Sequence, residues 1–164
     1  MFRRDEVDVA ERSVLWAPWS PAQLVALVIG IIYLVLGVAV LAKAGLSADT
    51  FTSAHVSVFG FGHTPLMGLI ELVYGLLLIM AGAVPGAGRG LMAFLGALAL
   101  GFGVVVLVQQ ASLYGSLGVL DANGWLYVIT GVITLIAGVA APIIFTGGRQ
   151  RVAHDRDVIQ RPLR

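Results

Sequence analysis

Glu71 is the only acidic or basic side chain inside any of the four long apolar runs of this sequence. A carboxyl group surrounded by hydrocarbon costs roughly 2.5–3.5 kcal/mol unless it is protonated or partnered. Two roles fit such a group. It binds a proton or a ligand, or it is a protonated carboxyl bonded to a neighbouring hydroxyl as interhelical glue, worth about 0.6 kcal/mol per bond. The surrounding register suggests where partners lie. Glycines recur at seven-residue spacing, as Gly30 and Gly37, then Gly68, Gly75 and Gly82, then Gly96 and Gly103, then Gly131 and Gly138. With these glycines at heptad position a, position d holds Tyr33, Glu71, Tyr127 and Thr134, and Gln110 falls at a. Thr130 lies at about the depth of Glu71. These six residues are the candidates for proton or ligand binding.

Other chemistry finds little support. His55 and His63 flank a short stretch ahead of Glu71, but three such groups match no standard zinc spacing, so the two histidines are weak metal candidates only. The chain has no cysteine, which removes disulfides, thiol redox couples and thiolate-held metals. A single membrane carboxylate supplies no acid/base pair, and no serine has a histidine and acid suited to a triad. Pro85-Gly86-Ala87-Gly88-Arg89 lacks the lysine and preceding strand of a phosphate loop. No catalytic residue and no cofactor is assigned. A net charge of +1 without a basic stripe points away from nucleic acid.

The elements that must carry Glu71 follow from composition. Hydrophobic residues make up 59% of the chain and charged residues 12%, against about 25% charged in soluble domains. The apolar runs cover Pro21–Ala42, Pro65–Val84, Gly90–Val108 and Trp125–Phe145, each near the ~20 residues that cross a bilayer as a helix. An unpaired backbone is not tolerated in lipid, and these runs lack the alternation of barrel strands. The expectation is an all-α polytopic membrane protein. Small residues on one face of every span favour close packing, and a period of 3.5 gives left-handed supercoiling, so the spans should form a compact left-handed four-helix bundle over residues 21–145. Residues 1–20 read as a tail with Trp16 and Trp19 as an interfacial anchor, and Ser20-Pro21 as a helix start. Residues 146–164 read as a basic, disordered tail. The loop 45–64 either lies on the membrane or caps the bundle, and residues 109–124 form the third connection.

Nine of the ten lysines and arginines lie in the two tails and the second connection, and Lys43 alone lies on the other side. This places both termini in the cytoplasm. The arginine-rich, Gly/Ala/Val-rich composition looks like that of a GC-rich bacterial genome, so a bacterial plasma membrane is the expected location. Ala42-Lys43-Ala44 has the form of a signal cleavage site, but the apolar run before it is too long and its leader too acidic.

The stretch Gly68-Leu69-Ile70-Glu71-Leu72-Val73-Tyr74-Gly75 through Gly82, the turn with Arg89 and the Ala/Gly-rich span beyond it resemble the central hairpin of DoxX-like membrane proteins. Gly30, Gly37 and Lys43 fit that pattern more loosely. The Gly-Pro-Gly ending of typical members is absent after Phe145, so the resemblance covers a third of the chain. The whole is also similar to small uncharacterised four-helix proteins of actinobacteria. What the resemblance implies is a fold and, for some relatives, a link to quinone-dependent sulfur oxidation or redox-stress complexes.

Three functional readings result. The leading one is an accessory membrane subunit without catalytic activity, whose partners are the lipid bilayer and either another membrane protein or a second copy of itself. The others are a proton-coupled small-molecule transporter using Glu71 and the membrane subunit of a quinone-linked redox complex.

Overall fold

In the computed structural model, the backbone is described for residues 20–47, 51–84 and 88–159, with side chains as far as residue 140. The proposed tryptophan anchor and the apex of the second connection lie outside these residues. Helix α1 runs Pro21–Ala44. A hairpin of β1 (Val56–Val58) and β2 (Phe61–His63) follows, and then come α2 (Pro65–Ala83), α3 (Gly88–Leu117) and α4 (Asp121–Ile159). All four helices are long and apolar enough to cross a membrane, α4 through its Asp121–Ala140 segment. The shortest, α2, has 19 residues, which at 1.5 Å each is about 28 Å.

Local sequence sets the helix ends. Ser20 caps α1 through a reciprocal capping box: its hydroxyl accepts from the Gln23 amide at 3.3 Å, and the Gln23 side chain accepts from the Ser20 amide at 2.9 Å. Pro21 and Pro65 occupy first helical turns, where a missing N–H is not felt. Thr64 caps α2. Gly118, at φ 70°, ends α3 with its amide on the Tyr114 carbonyl at 2.9 Å, a left-handed cap that glycine adopts without a Cβ penalty.

Two expectations are corrected here. The third connection is far shorter than residues 109–124, because α3 continues to Leu117 and α4 starts at Asp121. Leu113 and Leu117 pack on the core, one helical turn apart, so an apolar stripe extends the helix past a kink at Gln109 (φ −121°, ψ 25°). The stretch after residue 146 is also helical as far as Ile159 rather than irregular. Propagating an existing helix adds a hydrogen bond for each residue fixed, so Gly147-Gly148 does not stop it.

The four helices form a compact bundle made of two close pairs. In α1 and α2, a methyl built on Gly37 would lie 2.6 Å from the Gly68 carbonyl oxygen, and one on Gly75 would lie 2.6 Å from that of Gly30. In α3 and α4, a methyl on Gly131 would lie 2.5 Å from the Leu100 amide nitrogen, one on Gly103 would lie 2.7 Å from that of Val128, and one on Gly138 would lie 2.7 Å from that of Ala93. Gly96 faces Leu135 and Gly131, while Gly82 is looser, with Gln23 O at 3.0 Å. The glycines therefore join helices two at a time instead of sharing one central seam. Between the pairs, larger side chains meet: Ile29, Tyr33, Met67, Leu78, Leu95 and Tyr127 are among the buried core.

The outward faces are apolar, with Val28, Met80, Phe94 and Ile136 each 57–63% exposed. A soluble monomer rarely shows such continuous apolar surface, whereas in a bilayer it meets its own kind of solvent. The chain is a multi-pass membrane protein.

The hairpin seals one end of the bundle. Val56 pairs with His63 and Val58 with Phe61, around a two-residue turn in which Phe59 (φ 52°) and Gly60 (φ 86°) both take positive φ, as a type I′ turn needs. Val58 is buried against Leu36 and Val40 of α1, and the Thr64 amide donates to Leu117 O at 3.0 Å.

Candidate functional site

The hairpin delivers His63 directly into α2, and Glu71 follows within the first two turns. Both are buried, at 0% and 1% exposure. His63 Nε2 lies 3.1 Å from Glu71 Oε1, and Tyr127 of α4 donates its hydroxyl proton to the same oxygen at 2.6 Å, a length typical of O–H to carboxylate contacts.

Hydrogen-bond direction can be traced around the cluster. Asn123 Oδ1 accepts from two backbone amides, Gly62 at 3.1 Å and Leu120 at 3.0 Å. Its amide nitrogen therefore faces the Tyr127 oxygen and His63 Nε2, each at 3.4 Å. Tyr127 receives from Asn123 and must give to Glu71. His63 Nδ1 lies 3.2 Å from the Phe61 carbonyl oxygen, which accepts from it in the tautomer that carries the Nδ1 proton. A proton on either Nε2 or Glu71 Oε1 makes their 3.1 Å contact a hydrogen bond. Glu71 Oε2 is buried with no partner.

A second group of hydroxyls stands beside it. Thr130 donates to the Leu126 carbonyl at 2.7 Å, so Tyr33 donates to Thr130 Oγ1, also at 2.7 Å. Tyr74 donates to the Leu95 carbonyl at 3.3 Å. The Tyr33 ring meets Tyr74 edge-on at 4.8 Å and stacks on Tyr127 at 6.0 Å, and Phe102 tilts against Tyr127 at 5.5 Å. These rings, with Met67, Ile70, Leu98, Ala99 and Leu117, surround a cavity of about 210 Å³ at the seam between α2 and α3. Its surface is apolar and Glu71 forms part of its wall. Ile70 and Leu98 of its lining are 44% and 54% exposed, so the cavity reaches the apolar outer surface of the bundle.

Of the six candidates read from the sequence, the structure brings Glu71, Tyr33, Tyr127 and Thr130 together. Thr134 is buried one turn further along α4, and its hydroxyl has no partner there. Gln110 is half-buried and donates to Val119 O at 3.5 Å, outside the cluster. It sits beside the kink at Gln109, where the heptad register breaks. His55 does not join His63 and Glu71. It is exposed, its ring nitrogens each lie 2.8 Å from the Ser53 and Tyr114 carbonyls, and no metal-capable group of three His, Asp or Glu residues occurs among the described residues. His63 instead partners Glu71.

Asn123 and Tyr74 were not anticipated. Tyr74 lies three residues after Glu71, on a neighbouring part of the same helical face, and that spacing could have revealed it. Asn123 is a polar residue at the mouth of an apolar run, but its link to residue 62 is visible only in three dimensions.

No curated protein and no solved structure matches the chain. One family model does, over residues 23–140, which take in nearly all of α1, the whole of α2 and α3, α4 as far as residue 140 and every residue of the cluster. The chain belongs to the family described as a domain of unknown function, DUF4383.

Proposed function

We propose that this chain is a non-catalytic subunit of a bacterial plasma membrane that takes a small lipophilic molecule from the bilayer at Glu71. The observation that carries this reading is an apolar cavity between α2 and α3 with Glu71 among its lining residues, beside which Glu71 Oε2 is buried without a partner. A structural acid has no use for an unfilled acceptor, since leaving one buried costs about 1–3 kcal/mol. A ligand that seats in the cavity and displaces the side chains over Glu71 would reach the acceptor and remove that cost. The charge asymmetry of the loops supports cytoplasmic termini, with the hairpin outside. A partner protein or second copy would meet the hairpin end, where Phe59 is 78% exposed.

Native mass spectrometry of the chain extracted with its surrounding lipid tests the binding reading. The wild type should carry a bound small molecule, and Ala99→Leu, which adds bulk to the cavity from the α3 side, should lose it. Equal occupancy in the two proteins, or none in either, would sink the proposal.

The 3.1 Å contact between His63 and Glu71 favours a second reading, proton-coupled carriage, in which a cationic substrate displaces a proton from the pair. The likeness of α2 to DoxX-like proteins, through Gly68, Glu71, Gly75 and Gly82, suggests a further extension, in which the lipophilic molecule belongs to a quinone-linked redox complex.

A further inference from the structure

His55 takes no part in the cluster around Glu71, yet its ring meets a carbonyl at both nitrogens. Nδ1 lies 2.8 Å from the Ser53 carbonyl oxygen, and Nε2 lies 2.8 Å from that of Tyr114. A carbonyl oxygen only accepts, so each contact is a hydrogen bond only when its own nitrogen carries a proton. Either neutral tautomer supplies one such proton and leaves the other nitrogen's lone pair against an oxygen. The imidazolium supplies both. Whichever tautomer the neutral ring adopts, the number of bonds follows its charge. The Tyr114 ring also stacks on His55, with centroids 4.8 Å apart, and that contact needs no proton.

We infer that His55 is a pH-sensitive latch between the loop joining α1 to α2 and the end of α3. Charged, it ties Ser53 to Tyr114; neutral, it bonds to one of them alone. Histidine changes charge between pH 5 and 8, so acid fastens the latch and alkali slackens it. The stretch it holds lies between the kink at Gln109 and the left-handed cap at Gly118. Thr64 grips the same stretch from a buried position, with its amide on Leu117 O and its hydroxyl on Ser116 O at 3.1 Å. His55 is the exposed grip, the one that reads the medium. Leu117 also lines the cavity between α2 and α3, so the latch steadies one of its walls. Among the described residues, Tyr114 is the titratable side chain that touches His55. On the neighbouring elements, Lys43 donates to the Ser57 carbonyl at 2.9 Å, His63 and Glu71 face each other, and Asp121 opens α4. The latch does not depend on the binding function proposed above.

The chain has no cysteine, so Thr52→Cys and Ser112→Cys, both at exposed positions, place one spin label on each side of the latch. Pulsed EPR of the full chain in nanodiscs at pH 5 and pH 8 reads the distance between the labels. NMR of the histidine ring nitrogens reads the charge of His55 at each pH, with His55→Phe to assign its signals. At pH 5 the ring should be charged and a single short distance should dominate. At pH 8 the share of a second, longer distance should be about fivefold larger, the worth of one hydrogen bond. His55→Phe keeps a ring to stack on Tyr114 but has no nitrogen to donate, so it should show the longer distance at both pH values. A wild-type distribution that is the same at pH 5 and pH 8 would overturn the inference, as would a short distance kept by His55→Phe throughout. A pH response that survives in His55→Phe would belong to another group, such as the buried His63, and would overturn it too.

Discussion

Glu71 Oε1 receives more than its share of the local hydrogen bonding, while Oε2 receives none, and this asymmetry makes single substitutions informative. Tyr127→Phe removes the donor at 2.6 Å and leaves the Asn123 amide facing a ring edge. It should cost about 1–3 kcal/mol, because a buried carboxyl oxygen loses its shortest donor. Tyr33→Phe loses a bond between two neutral hydroxyls and should cost nearer 0.6 kcal/mol, as interhelical bonds in membranes average. Reversible unfolding in mixed micelles ranks the two; equal losses would mean that the carboxyl bond has no special strength. Glu71→Gln keeps the shape of the carboxyl and should retain the fold. Glu71→Ala leaves Tyr127 and His63 without their acceptor inside an apolar bundle and should cost several-fold more in the same measurement.

Among the elements, the two close helix pairs and the hairpin that ties them together make separate predictions. Gly75→Leu and Gly131→Leu place a bulky side chain where a single methyl would already be within 2.6 Å of the facing backbone. Each should lower stability by more than the roughly 1–3 kcal/mol of ordinary overpacking, since backbone cannot rotate aside. Gly101→Leu is the control, because nothing lies within 4 Å of a methyl at that position, and its thermal midpoint in detergent should stay near wild type. If all three melt alike, the glycine contacts do not hold the bundle together. The hairpin depends on Asn123, whose side-chain oxygen joins the Gly62 amide of β2 to the start of α4. Asn123→Ala should accelerate hydrogen exchange at the Gly62 amide while α1 exchange stays slow. Uniform acceleration would show that hairpin and bundle open together.

For the molecule as a whole, orientation is the quantity to test. Reporter fusions at Thr50 and Leu117 should be periplasmic and one at Ala87 cytoplasmic, because nine of ten basic residues lie on the side of the tails and Arg89. A cytoplasmic reporter at Thr50 would invert the topology and place the hairpin, with the acid site beneath it, at the inner face.

The sequence by itself determined that the chain crosses a membrane as four helices, because twenty-residue apolar runs are a one-dimensional property that lipid enforces on each segment separately. It also picked out Glu71, since a lone carboxyl in such a run has to be compensated, and the heptad frame put Tyr33 and Tyr127 on the same kind of face. The tertiary structure decided which faces meet. The glycine register is identical in every span, so it could not say that α1 pairs with α2 and α3 with α4, nor that the seam between the pairs holds a cavity. The reach of His63 to Glu71 depends on a hairpin only three residues per strand, too short for its alternation to fix a register. The contact of Asn123 with Gly62 spans 61 positions. Such long-range contacts follow from side-chain volumes and hydrogen-bond directions in three dimensions, and no periodicity along the chain encodes them.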